Sequence, residues 1–131
     1  MKTSVFFILL LTLLSFAACH KDKTITPLKL EGIYNGTLIS SSPGESSVNA
    51  KVTLSAKTYQ ASLTTPFGAG SKGSYIINNN QVTFTDSTVH TANFDWGLLL
   101  NGTYTPTTKG DSLILIKKGE GYNYTYHLKK Q

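Results

Sequence analysis

A chain of 131 residues is long enough for one domain with its own core and too short for two of ordinary size. It carries 12 basic against 7 acidic residues, and every basic residue is a lysine; arginine is the usual fork for phosphate and base edges, so its absence turns the basic balance away from nucleic acid. With one cysteine there is no internal disulfide, and stability has to come from apolar burial.

Met1 and Lys2 precede an apolar run over residues 5–14, about half the length that spans a bilayer, and small residues follow it. Residues 1–18 are expected to form a cleaved signal peptide. Phe16-Ala17-Ala18-Cys19 resembles the lipobox of bacterial lipoproteins, with Phe16 where leucine is usual. That resemblance implies an acylated Cys19 as the first mature residue, and a protein of the cell envelope anchored by lipid to the outer membrane. Ordinary cleavage would instead leave Cys19 as a stray thiol, a liability in an exported protein. Residues 19–27 then form the lipidated cysteine and a polar tether ending in Pro27. Lys21-Asp22 resembles the signal that sends Bacteroidetes-type lipoproteins to the cell surface, and surface exposure is what it implies. Asp86-Ser87-Thr88 and Asp111-Ser112-Leu113 match the short O-glycosylation pattern of the same group, against which stands a reading as plain turn residues.

From Leu28 onward the apolar period is two, the spacing of a half-buried strand. Strands are expected near residues 32–39, 48–54, 59–63, 75–77, 82–85, 96–104, 113–117 and 122–129. Between them fall Pro43-Gly44, residues 55–57, residues 66–73, the Asn78-Asn79-Asn80 run, Lys109-Gly110-Asp111 and Gly119-Glu120-Gly121. This predicts an all-β domain over residues 28–131, an antiparallel meander of about eight strands closing as a barrel, with a β-sandwich as the alternative. Asn35-Gly36 and Asn101-Gly102 read either as hairpin turns or as bends within strands. Strand order, and Gly32-Ile33-Tyr34 where lipocalins carry Gly-x-Trp, resemble the lipocalin-like barrels of small bacterial lipoproteins.

No catalytic pattern stands out, and a non-enzymatic protein without cofactor or metal is expected. Gly68-Ala69-Gly70-Ser71-Lys72-Gly73 fits a dinucleotide fingerprint, but a strand follows it where phosphate binding needs a helix N-terminus; a hairpin loop is the simpler reading. His20, His90 and His127 lack metal-ligand spacing. Asp86 and Asp95 could pair as glycosidase carboxylates, or simply cap the loop between them.

Tyrosine is the more informative residue. Tyr34, Tyr59, Tyr75, Trp96, Tyr104 and Tyr124 are expected on the inner face, where a phenol needs a polar partner and so suggests a wet, open-ended interior. Two functions follow: a membrane-anchored binding module for a small amphipathic ligand in a tyrosine-lined barrel, or a packed domain that recognises a glycan or an envelope protein through its outer surface or loops.

Overall fold

The computed structural model describes residues 28–41, 44–65, 70–91 and 96–131. Eight antiparallel strands run in chain order and close into a barrel. They are β1 Gly32–Ser41, β2 Glu45–Leu54, β3 Thr58–Leu63, β4 Gly70–Asn78, β5 Gln81–Asp86, β6 Gly102–Lys109, β7 Ser112–Gly119 and β8 Tyr122–Lys130. The all-β class and the closed meander are as the period of two predicts. β1 and β8 seal the wall, with Gly36 opposite Leu128 and Leu38 opposite Tyr126. Among the described residues the one helical element is the 3-10 turn Trp96–Leu98, and no helix is long and apolar enough to cross a membrane. Cys19, the signal peptide and tether, His20 and Asp95 lie outside the described residues.

Alternation places Tyr34 and Leu38, Ala50, Val52 and Leu54, Tyr59, Ala61 and Leu63, Tyr75, Val82 and Phe84, Tyr104, Leu113 and Leu115, and Tyr126 and Leu128 in one buried core. Two glycines let the walls approach. A methyl on Gly36 would overlap the His127 carbonyl of β8, and one on Gly73 the Thr85 carbonyl of β5. Asn35-Gly36 therefore lies inside β1, not in a hairpin, and Asn101-Gly102 leads into β6. The Asn79-Asn80 turn between β4 and β5 has φ of 47° and 59°, the left-handed pair that a two-residue hairpin favours.

Two expectations are corrected here. Gly70, Ser71, Lys72 and Gly73 are part of β4 and not a loop, and glycine at 73 answers a close backbone approach. The sixth strand begins at Gly102 and not at Trp96, because Leu99 and Leu100 are both buried, which a strand with one solvated face does not allow. The true strand carries Pro106, which lies past the short β5–β6 ladder of Val82, Thr83 and Phe84, so the strand tolerates a residue without an N–H there.

An up-and-down meander sends the connections after β1, β3, β5 and β7 from one end, the loop end. The connections after β2, β4 and β6, and residues 28–31 and 131, belong to the other, the terminal end. That end is plugged: Leu30 is 1 % exposed, Tyr34 donates its hydroxyl to the Leu30 carbonyl at 2.9 Å, and Tyr75 donates to the Ser55 carbonyl at 2.6 Å.

Candidate functional site

The inward register changes character toward the loop end. Ser40 follows Leu38 in β1, Ser46 precedes Val48 in β2, and Thr65 follows Leu63 after β3; Ser71 opens β4, Asp86 ends β5, Lys117 follows Leu115 in β7, and Tyr122 and Tyr124 precede Tyr126 in β8. An apolar barrel thus carries a polar lip at one end. The Ser40 and Ser46 hydroxyls bond each other across β1 and β2 at 2.6 Å.

Beneath the lip lies a layer of rings. Phe84 meets Tyr59, Tyr75 and Tyr104 with centroids 5.0, 5.7 and 5.7 Å away, and Tyr104 meets Tyr126 at 6.0 Å. Most of these contacts are edge-to-face, the arrangement that aromatic quadrupoles favour. Among the described residues, the buried hydroxyls of Tyr59 and Tyr126, and that of Thr65 nearer the lip, have no hydrogen-bond partner. Burial pushes the Tyr59 phenol up to about 12, with the negative charge of Asp86 adding to it; Ser71 pulls the other way without reaching hydrogen-bond geometry. Burial likewise raises Tyr104, with Tyr124 and Tyr59 adding to it, and raises Tyr126, with Tyr104 and Tyr59 adding to it. They remain neutral hydrogen-bond donors at any physiological pH.

Lys117 is the cation of this site. Its ammonium donates to the Asn101 carbonyl at 2.8 Å and lies 5.8 and 6.0 Å from the ring centres of Tyr104 and Tyr124. Desolvation holds its pKa below the usual lysine value. Among the described residues no carboxylate lies within ion-pair distance of it. Tyr122 and Tyr124 stand 5.2 Å apart beside it, and Tyr122 covers Gly119. A partly desolvated cation held by π faces and a single carbonyl can still take an anionic group.

Asp86 fastens the rim. Its carboxylate accepts from the Lys72 and Thr88 amides at 3.2 Å each, from the Thr88 hydroxyl at 2.7 Å, and pairs with His90 Nε2 at 2.6 Å. Burial opposes its ionisation, but the bonds from His90, Thr88 and Lys72 outweigh burial and hold it below the ordinary carboxylate range. The His90 ring then meets Trp96 edge-on at 5.6 Å. Asp86 serves as a loop clasp, the simpler of its two expected roles.

The six expected site residues separate accordingly. Tyr59, Tyr104 and Tyr124 meet below or at the mouth, whereas Tyr34 and Tyr75 are spent on closing the terminal end. Trp96 is corrected: it is 71 % exposed, on the 3-10 turn outside the core, because the strand it was placed on starts six residues later. Sequence reading missed Lys117, Ser71 and Thr65, although the unbroken inward alternation past Leu115 and Leu63 marks two of them. Tyr126 lies on the inward face and in the ring layer, and is not among the six expected residues. Compared with known protein families, curated proteins and solved structures, the chain matches none.

Proposed function

We propose that the protein is a lipid-anchored, non-enzymatic binding module of the bacterial cell envelope, resembling lipocalin-like lipoproteins, and that it takes a small amphipathic anion at the loop-end mouth. The observation that carries this is the coincidence of partnerless buried hydroxyls on Tyr59, Tyr126 and Thr65 with a carboxylate-free inward Lys117. A buried donor without an acceptor costs roughly 1–3 kcal/mol, and a ligand oxygen removes that cost on binding. The acid group would lie against Lys117 and the apolar part against Tyr122, Tyr124 and the ring layer. Anchoring rests on Cys19 and its lipobox-like surroundings.

A second reading has its own support. Val89 and Trp96 are 96 % and 71 % exposed on the β5–β6 connection, and exposed apolar groups of that size suit a glycan or a protein partner. Titration with anilinonaphthalene sulfonate, an amphipathic anionic dye, separates the two. The mouth reading expects saturable one-to-one fluorescence enhancement, weakened about tenfold or more by Lys117→Met and unchanged by Trp96→Ala. Dependence on Trp96 with indifference to Lys117 would move the site to the rim, and no saturable binding would remove the mouth.

A further inference from the structure

The charge of the described barrel is divided unequally between its ends. At the loop end Lys72, Lys117 and Lys118 are balanced by Glu45, Asp86 and Glu120. At the terminal end Lys29, Lys57, Lys109, Lys129 and Lys130 face only Glu31 and Asp111, and all five lysines are exposed. No ion pair joins any of these ammonium groups to a described carboxylate. Lys130 spends one proton on the Glu31 carbonyl at 2.8 Å, which holds it at the base of the barrel. Lys29 and Lys130 border one shallow depression with Asp111, while Lys29 and Lys57 border its neighbour with Glu31. The lysines form a collar around the place where residue 28 enters the fold.

We infer that this collar is a docking surface for anionic phospholipid, seating the barrel base-down on the membrane. The inference rests on the anchored reading of Cys19, since residues 19–27 join that cysteine to the collar. Nine residues span at most about 30 Å, so an acylated Cys19 keeps the collar within reach of the headgroups. The acyl chains of a lipoprotein cysteine already hold the chain at the bilayer, and a basic patch beside them adds a contact that sets how the barrel faces anionic headgroups. Each lysine near an anionic surface strengthens partitioning by roughly fivefold at moderate salt, and the effect fades within a Debye length. The neutral loop end gains nothing from such a surface. Seated this way, the barrel turns its mouth, with Lys117, Tyr122 and Tyr124, away from the bilayer.

The test uses the chain from residue 20 onward, which contains every strand of the closed barrel and lacks the acylated cysteine. Its fold is verified by circular dichroism in each variant. Co-sedimentation is measured with vesicles of phosphatidylglycerol mixed with phosphatidylcholine, and with phosphatidylcholine alone. The expected result is binding to the anionic vesicles only, falling with added salt, and weakened at least about tenfold by Lys57→Glu with Lys109→Glu. Lys118→Glu, at the opposite end, should leave it unchanged. No preference for anionic vesicles, or equal loss from both charge reversals, overturns the docking surface. Acylation is read separately from the intact mass of the protein made in cells. An unacylated Cys19 with retained vesicle binding removes the anchor and keeps the collar, whereas an acylated Cys19 without charge-dependent vesicle binding does the reverse.

Discussion

Tyr34 and Tyr126 are both buried phenols, yet one donates to a carbonyl and the other has no partner among the described residues. Truncating each to phenylalanine should therefore have opposite signs. Tyr34→Phe loses a buried hydrogen bond and frees the Leu30 plug, which should cost about 1 kcal/mol. Tyr126→Phe removes an orphaned hydroxyl while keeping the ring, and should be neutral or up to about 1 kcal/mol stabilising, with weaker dye binding. Urea unfolding of the two variants reads the difference, and equal destabilisation would show that Tyr126 has a partner. Asp86 makes a second claim at this scale. Its carboxyl is depressed in the folded state, so its contribution is fully present above the unfolded value near 4 and is lost as pH falls through the lower folded value. Asp86→Asn should cost about 2 kcal/mol near neutrality, as expected for bonds to a charged group, and should flatten the acid limb of the stability profile. An unchanged acid limb would mean the clasp does not depend on charge.

At the scale of the strands, most of the barrel was legible because alternation is a local consequence of one wall facing a core. β2, β3 and β5 begin and end within about three residues of their predicted limits. β6 was misread because Trp96, Leu98 and Leu100 imitate a period of two by chance, while the strand itself is rich in threonine and holds a proline. The tyrosines were legible as inward, but not as plug or mouth, since the same alternation serves both ends of a strand. Which end holds the plug is decided by Leu30 folding under the barrel, a contact that strand alternation does not encode. The ladder between β5 and β6 has three residue pairs against ten between β1 and β2, so the barrel has one weak seam. Hydrogen exchange should be fastest among ladder amides at Val82, Thr83, Thr103 and Tyr104, and slowest in β1 and β8. Uniform protection around the wall would contradict a seam.

For the whole molecule, a plugged terminal end, a ring layer and a polar mouth define one direction, and the proposed anchor at Cys19 would set how that direction meets the membrane. Cys19→Ala should leave the protein held only by the salt-sensitive lysine collar, so that a high-salt wash moves it from the membrane fraction to the soluble one; residues 28–131 contain no cysteine, so their unfolding should ignore reductant. Retention of the Cys19→Ala protein in the membrane fraction after that wash would mean that attachment does not need the lipid. The decisive measurement is native mass spectrometry of the protein isolated from its own cells under mild conditions. A mouth that binds a small amphipathic anion predicts a discrete added mass at one per chain, beyond any acyl modification, that Lys117→Met depletes and Trp96→Ala preserves. A spectrum showing only the bare mature chain, identical in both variants, would contradict it.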